Sequence, residues 1–390
     1  MTGLRCAALA CIAALCATSG AGSAADSVPY EINAITSLTG AGAFIGADAT
    51  DGLRMVESAV NHEGGINGRP IKFTIVDDQS LPQQAVALAS QIIEKKAPVI
   101  IGSSLVGACN AMAPLTQHNV AMYCLSASYM PPLDAGLFSY GITTENVIRV
   151  NLAYFRNHCM KRVAAIFPTD ATGQDGERAT RAALDLPENS AVQLVDVEHF
   201  NGADVSVTAQ MSKLKAAAPD VLIAYVSGTP MGTVLQGAKG IGLDVPIVTS
   251  GANYNLKQME QFAPILPDHG LFIAAVPGFA PSAVPDGPAK RAINTYLDAR
   301  RRYCAGCGVQ TIIGWDSGSI VVAALRALGT GASGPQIAAY IANLHDYYGA
   351  CGEYDFRRNP HGLDGNTAVI VRYDRAKHDF VPMTRLASTR

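Results

Sequence analysis

The sequence has little charge and no excess of basic residues. Charged residues make up 16% of its 390 residues, and 29 Lys and Arg stand against 32 Asp and Glu. Nucleic-acid backbones are bound mainly by clustered cations, so this balance argues against a nucleic-acid partner. A disordered chain is also excluded, because 49% of the residues are hydrophobic, whereas disordered chains combine few apolar residues with much charge.

The sequence also lacks the short motifs that carry common chemistry. It contains no GxSxG nucleophile elbow, no HExxH or HxxxH pair and no phosphate-binding P-loop. The run from Gly40 to Gly46 is partly like a dinucleotide-binding fingerprint, but its third glycine comes one residue late. Asp77 and Asp78 follow about 31 positions later, where the fingerprint needs an acid after about 20. We therefore expect no catalytic residues, no cofactor and no metal site.

The longest apolar stretch lies at the N-terminus, and no later run reaches the length of a membrane helix. Arg5 comes first, an apolar core follows from about Cys6 to Ala17, and Ser23-Ala24-Ala25 precedes Asp26. A basic start, a short apolar core and a small-x-small site are typical of a cleaved signal peptide. We predict that residues 1–25 are removed on export to the periplasm. Cleavage would leave 365 residues with 28 basic and 32 acidic side chains.

A lipid anchor at Cys11 or Cys16 stays open as an alternative to a soluble exported protein. Neither cysteine has the usual surroundings of a lipoprotein site. Cys16 follows Leu15, where a small residue is usual, and Cys11 has only Ala8 at the place of the larger aliphatic residue.

Six cysteines remain after the predicted cleavage: Cys109, Cys124, Cys159, Cys304, Cys307 and Cys351. An oxidising periplasm and an even number permit disulfides. Cys109 begins a helix after one predicted strand and Cys124 ends the next strand, so both lie at one edge of a parallel sheet and we predict a bond between them. Cys304 and Cys307 form a lone CxxC, for which a disulfide or two free thiols is favoured over redox or zinc chemistry.

Short β-branched runs alternate with helical patterns along most of the chain. Buried strands are predicted over 71–78, 98–102, 120–126, 162–168, 220–226, 246–250 and 270–276. Helices are predicted over 46–63, 82–96, 145–158, 174–184, 204–217, 230–240, 286–302, 315–328 and 335–344, and strand-like pieces follow at 352–356, 367–373 and 379–383. This alternation predicts parallel sheets covered by helices on both faces. Because one sheet of so many strands is uncommon and the count restarts near 141–147, we predict two α/β lobes, 28–143 and 144–275, with the C-terminal part free to join either.

Loops rich in Ser, Thr, Gly and Asn follow the predicted strands. They cover 37–46, 102–109, 126–132, 168–176, 226–232 and 250–255. Ligands of open parallel sheets bind beyond the carboxyl ends of the strands. Hydroxyls and free N–H groups at helix N-termini suit an anionic group such as a carboxylate. Each loop alone could be an ordinary helix cap, but six of them together favour a binding cleft.

The sequence resembles the leucine/isoleucine/valine-binding family of periplasmic substrate-binding proteins of ABC transporters. The similar stretches are 37–93, 99–115, 169–176, 234–248 and 314–329, and the INGRPI run after Gly64-Gly65 is quite specific. The resemblance implies the type I periplasmic binding protein fold, which is α/β with two doubly wound parallel-sheet lobes joined by a three-crossing hinge. Lobe 1 would be 28–143 plus 276–345, and lobe 2 would be 144–275 plus 346–390. It further implies a monomer that binds a small organic ligand and docks on a membrane permease.

The resemblance also implies a set of ligand-binding residues. In lobe 1 it places the ligand carboxylate at Ser103, Ser104 and Gly107 and at Ser126, Ala127 and Ser128, and it places Phe44 against the ligand side chain. In lobe 2, Thr172-Gly173 stands where the family commonly has Tyr-Gly, and a second ligand-facing tyrosine falls near Ser227, Gly228 and Thr229. The acid that pairs with the α-amino group in leucine binders falls near Ala252-Asn253, where no acid stands.

The missing acid widens the range of expected ligands. An unpaired buried ammonium is costly, so leucine should bind weakly unless Asp170, Asp175 or another acid substitutes. We therefore expect branched-chain amino acids and aromatic or branched carboxylates equally. We interpret the sequence as that of a transport binding protein whose two lobes close around its ligand. A ligand sensor that docks on a receptor and a secreted enzyme on the same fold stay open as alternatives, the latter with no visible nucleophile–base set.

Overall fold

The computed structural model describes residues 28–133, 135–363 and 367–386. The predicted signal peptide, with Cys11 and Cys16, lies outside the described residues. Within the described part of the chain, the strands form two main sheets and one small hairpin.

The first sheet has five parallel strands in the order β2-β1-β3-β4-β5. Its strands are β1 Tyr30–Thr36, β2 Ile71–Asp77, β3 Val99–Gly102, β4 Ala121–Cys124 and β5 Leu137–Ser139. Three helices connect them, namely α1 Ala43–His62, α2 Pro82–Glu94 and α3 Val106–Thr116. The strands are mostly buried, as the apolar runs require of a sheet covered on both faces.

The second sheet has seven strands in the order β14-β13-β10-β9-β8-β6-β7. Its parallel part consists of β6 Arg162–Pro168, β7 Gln193–Phe200, β8 Val221–Ala224, β9 Ile247–Thr249 and β10 Leu271–Ala275. The helices α4 Thr144–Asn157, α5 Ala171–Leu184, α6 Thr208–Ala216, α7 Pro230–Gly240 and α8 Leu256–Phe262 alternate with these strands. Two C-terminal strands, β13 Val369–Asp374 and β14 Asp379–Pro382, add to this sheet in antiparallel pairing.

Over the residues that the structure describes, the chain passes between the two sheets three times. It leaves the first sheet after β5 and returns to the first lobe after β10 as α9 Pro288–Tyr303, α10 Thr311–Leu328 and α11 Gly334–Ala342. Contacts of α9 and α10 with α1, and of α11 with β4, place these helices in the first lobe. A hairpin of β11 Tyr347–Gly349 and β12 Gly352–Tyr354 follows, and the chain then joins the second sheet at β13.

The hairpin packs on the first lobe although the predicted boundary at 345/346 puts it in the second. The carboxylate of Asp316 in α10 accepts bonds from the Ala350 and Cys351 amides at 2.9 and 2.7 Å. Phe356 contacts the rings of Tyr123 and Phe138, which lie in β4 and β5. The third passage therefore comes after Phe356, later than predicted, while the two earlier boundaries stay predictions.

The helix α10 begins at Thr311, four residues before the predicted start at 315, and its first turn packs closely against α1. A Cβ on Gly314 would lie 1.9 Å from the carbonyl oxygen of Ala49, and one on Gly52 would lie 2.0 Å from that of Thr311. These glycines let the two helix backbones touch, so Gly314 sits inside the helix and does not end it.

Within the described residues, α10 is long and apolar enough to cross a membrane by length and composition alone. The expectation that no later run reaches this length is therefore wrong. Because 67% of the helix is buried in the structure and it packs along α1, we assign it to the core of the first lobe.

Candidate functional site

A cavity lies between the lobes, where the carboxyl ends of both sheets meet. Its volume is about 90 Å³, so it suits a small ligand. The loops after β3, β4 and β5 line one side, and the loops after β6, β8 and β9 line the other. None of the described residues that line it carries a charged side chain. A ligand there must be held by hydroxyls, backbone groups and apolar contact.

Six of the predicted site residues line this cavity. They are Ser104, Ser126, Ala127, Ser128, Thr172 and Ser227. They come from the ends of four different strands, so the fold brings together residues that are more than 120 positions apart in the sequence.

The other six predicted residues do not line the cavity. Phe44 is half exposed in a groove outside it, and its neighbour Ile45 lines the cavity instead. Asn253 is buried, with its amide nitrogen donating to the Val226 carbonyl at 2.6 Å and to Thr249 Oγ1 at 2.8 Å. The remaining four are Ser103, Gly107, Gly228 and Thr229.

Ser103 supports the first-lobe loop from behind. Its hydroxyl donates to the buried Asp78 carboxylate, which also accepts from Ser37 Oγ at 2.7 Å and from the Ser80 amide at 2.8 Å. The backbone amide of Ser103 faces Cys109 Sγ at 3.2 Å. These hydrogen bonds fix the Asp78 carboxylate in place, and they engage the Ser103 hydroxyl. The hydroxyl of this loop that remains available is that of the next residue, Ser104.

Ser104 is the residue of this loop that is free to bind. Its Oγ is buried against the cavity and has no hydrogen-bond partner among the described residues. A buried hydroxyl without a partner is costly, and a ligand oxygen in the cavity would satisfy it.

A chain of hydroxyl groups runs from the second lobe to Ser128. Tyr225 OH donates to Thr144 Oγ1 at 3.3 Å, and Thr144 Oγ1 donates to Ser128 Oγ at 3.4 Å. Burial raises the pKa of Tyr225 to about 12, so the phenol keeps its proton near neutral pH. With both upstream donors directed along the chain, the proton of Ser128 is left to donate to a ligand acceptor.

In the second lobe a pair of serines meets at the cavity wall. Ser250 Oγ donates to the Val226 carbonyl at 2.9 Å, and Ser227 Oγ lies 3.1 Å from Ser250 Oγ. Two helix N-termini also reach the cavity, since Val106 begins α3 and Thr172 lies in the first turn of α5. The unpaired N–H groups and the dipole at a helix N-terminus favour negative charge.

Apolar side chains form much of the remaining wall, and they include Ile45, Ile142, Val147, Phe279 and Ile313. Asp170 and Asp175, the acids that could pair with a ligand ammonium, do not line the cavity. Asp170 caps α5 by accepting from the Gly173 amide at 2.9 Å, and Asp175 pairs with Arg178 at 2.6 Å. The cavity therefore offers polar groups at the helix ends and an apolar surface elsewhere.

The structure joins Cys109 to Cys124, with Cα atoms 6.1 Å apart, and Cys304 to Cys307, with Cα atoms 5.5 Å apart. Asp51, Cys304 and Cys307 form a group of potential metal ligands within the described residues. With both sulfurs in a disulfide, the group has no thiolate to offer a metal ion.

Comparison with known proteins places the chain in a family. A family model described as Periplasmic binding protein matches residues 29–377. The chain belongs to the periplasmic binding protein family. This confirms the resemblance visible in the sequence. A relative in the family, the leucine-, isoleucine-, valine-, threonine- and alanine-binding protein of Pseudomonas aeruginosa, is 24% identical over 214 residues, 53% of this chain and 56% of the relative. The chain spans about half the length of the curated relatives that it matches.

Solved structures share the family fold over nearly the whole chain. An extracellular ligand-binding receptor from Rhodopseudomonas palustris HaA2 has a TM-score of 0.81 at 20% identity, covering 91% of this chain and 99% of the receptor. A solute-binding protein of an ABC transporter from R. palustris, in complex with benzoate, has a TM-score of 0.74 at 18% identity, covering 92% of this chain and 97% of that protein. These likenesses confirm the predicted two-lobed α/β fold.

Several cavity residues of this family member were not predicted from the sequence. Tyr225 ends a predicted strand and Ser250 begins a polar loop, so the position of both at strand ends was an available signal. Gln310 also lines the cavity, but it lies in the loop before α10 and nothing in its sequence surroundings marks it.

Proposed function

We propose that this chain is the substrate-binding component of an ABC transporter and binds a small organic carboxylate in the cavity between its lobes. The observation that carries the proposal is the cavity itself. Among the described residues, those that line it carry no charged side chain, and the Ser104 hydroxyl that faces it has no partner. The family to which the chain belongs supports the transport role.

The cavity chemistry favours a carboxylate with an apolar body. Ser104 and Ser128 can each donate to a carboxylate oxygen, and the start of α3 adds backbone N–H groups. Hydrogen bonds to a charged acceptor are about twice as strong as neutral ones, so these donors can hold an anion without a cationic side chain. The apolar wall suits a branched or aromatic body, as in benzoate, which the R. palustris protein binds.

Amino acids stay in the proposed substrate class, since the P. aeruginosa relative is named for five of them. Their ammonium group would meet carbonyl oxygens and hydroxyls here, because none of the described residues that line the cavity is an acid. We therefore expect carboxylates without an amino group to bind at least as tightly as leucine or isoleucine.

Transport requires that binding changes the shape of the protein. In the proposed mechanism the lobes rotate about the three connecting passages and enclose the ligand, and a membrane permease recognises the closed form. We further propose that the protein is exported to the periplasm by cleavage after Ala25 and works there as a monomer.

The proposal is tested by calorimetric titration of residues 26–390 with benzoate, 3-methylbutanoate, leucine, isoleucine and glucose. We expect binding of at least one carboxylate, and we expect Ser104→Ala to weaken it about 10- to 100-fold because a bond to a charged group is lost. The matched control is Ser90→Ala, whose hydroxyl bonds the Val86 carbonyl within α2, away from the cavity. Tight leucine binding with no response to the amine-free acids would contradict the carboxylate class, and tight glucose binding would contradict both classes.

A further inference from the structure

Gln310 reaches from one lobe to the other at the edge of the cavity. It directly precedes α10, which packs along α1 in the first lobe. Its side-chain Nε2 donates to the carbonyl oxygens of Gly251 at 2.8 Å and Tyr254 at 3.3 Å, in the turn after β9 of the second lobe. The residue is buried and lines the cavity.

The first lobe holds Gln310 firmly from behind. Its backbone amide donates to Asp48 Oδ2 of α1 at 3.3 Å. A Cβ on Gly308 would lie 2.0 Å from the same oxygen, so the loop is pressed directly onto this carboxylate. Tyr296 of α9 donates its hydroxyl to the Val309 carbonyl at 3.2 Å, so both ends of the Val309–Gln310 peptide group are held.

A disulfide and a hydrogen bond from an arginine restrain the part of the same loop that precedes Gln310. Cys304 and Cys307 are joined, and Arg300 Nη2 donates to the Cys307 carbonyl at 2.5 Å. A side chain on so restrained a loop loses little further freedom when it forms its bonds, so more of their energy is available for holding the lobes together.

The carbonyls that Gln310 binds belong to the turn that covers the ligand space. Gly251 and Ala252 of this turn both line the cavity. Gly228 of the second lobe also lies close to the first lobe, since a Cβ on it would lie 3.3 Å from the Ala41 carbonyl oxygen. This is a van der Waals contact, which lacks the directionality of a hydrogen bond. When the cleft opens, both amide hydrogens of Gln310 lose their acceptors together.

We propose that Gln310 is a positioning residue for ligand binding, whose amide draws the Gly251–Ala252 turn over the ligand and stabilises the closed lobes. The inference rests on the proposed binding function and names a residue that sets its affinity. Closure then depends on the two N–H donors of the Gln310 side chain. When they are lost, a smaller fraction of the molecules is closed, and the apparent affinity for the ligand falls in proportion to that fraction.

The test measures lobe separation and affinity in the same proteins. Spin labels are placed on the native exposed Cys159 in the second lobe and on Gln91→Cys, an exposed site of α2 in the first lobe. Electron paramagnetic resonance then gives the distance distribution without ligand, with benzoate and with isoleucine.

The variants are Gln310→Met, which keeps the length but cannot donate, and Gln310→Glu, which keeps the shape but brings a carboxylate to two carbonyl oxygens. The control is Gln210→Met, since Gln210 Nε2 donates to the His199 carbonyl within the second lobe.

Both Gln310 variants should shift the ligand-free distances toward the open form and weaken the binding of whichever probe binds about tenfold, while the control stays as wild type. Wild-type distances in folded Gln310→Met and Gln310→Glu proteins would overturn the inference. If no probe binds the wild type, the proposed function fails, but the ligand-free distances still decide the role of Gln310.

Discussion

His361 shows how a single buried side chain sets a dependence on pH. It is fully buried, and its Nδ1 lies 3.1 Å from the Gly141 carbonyl, so Nδ1 carries the proton and donates. Its Nε2 is then an acceptor, and it has no partner among the described residues. Burial lowers the pKa of His361 to about 4, because the charged form cannot be solvated there.

The lowered pKa of His361 predicts a loss of stability in mild acid. Above its ordinary pKa of 6.5 the residue is neutral in both states and contributes no pH dependence. As the pH falls from 6.5 toward 4, only the unfolded chain takes up the proton, so the free energy of unfolding declines. Between about pH 7.5 and about pH 5, wild type should lose about 2 kcal/mol more than His361→Asn, measured by urea denaturation. Parallel pH profiles of the two proteins would contradict this assignment.

At the scale of the element, the disulfide between Cys109 and Cys124 ties the start of α3 to the end of β4. Both ends lie beside the Ser103–Ser104 loop, since the Ser103 amide faces Cys109 Sγ at 3.2 Å. The bond closes a loop over a sequence separation of 15 residues in the unfolded chain. It therefore stabilises the fold and the candidate site together.

Removing this bond should lower stability by about 3 kcal/mol, the value expected for a closed loop of this length. The variant is Cys109→Ser with Cys124→Ser, and the matched control is Cys159→Ser, which removes an exposed free thiol. Urea denaturation of the oxidised proteins measures the difference. Thiol labelling of unreduced, denatured wild type should modify Cys159 and Cys351, and labelling of Cys109 and Cys124 would show that the bond is absent.

The elements that sequence reasoning recovered are those with a strong apolar signal. The strand predicted over 162–168 matches β6, because a central strand buried on both faces is apolar throughout. The strand β7 was not predicted, since it lies at the edge of the second sheet, half exposed, with Asp196, Glu198 and His199 among its residues. The helix α8 has only seven residues, too few to show a period.

The candidate site was predictable where strand ends determine it. Ser104, Ser128 and Ser227 follow parallel strands, whose carboxyl ends share one edge of a sheet. One step along α1 rotates a side chain by about 100°, which is why Ile45 lines the cavity and Phe44 does not. The position of Gln310 depends on where the chain passes back to the first lobe, and no local pattern in the sequence gives that.

At the scale of the whole molecule, the cavity between the lobes is the proposed centre of function. The chain passes three times between the sheets, so one rotation about these passages can open or close all the loops at once. Ligand binding then couples to global stability, because a ligand that binds only the folded protein stabilises it.

Thermal denaturation of residues 26–390 with and without small carboxylates tests this central claim most directly. A ligand present at about 100 times its dissociation constant should add roughly 2.7 kcal/mol to the free energy of unfolding and raise the midpoint by several degrees. The account predicts such a rise with benzoate, a branched carboxylate or a branched-chain amino acid, and a smaller rise for the same ligand with Ser104→Ala. An unchanged midpoint with every one of these compounds, together with a clear rise with an uncharged sugar, would contradict it.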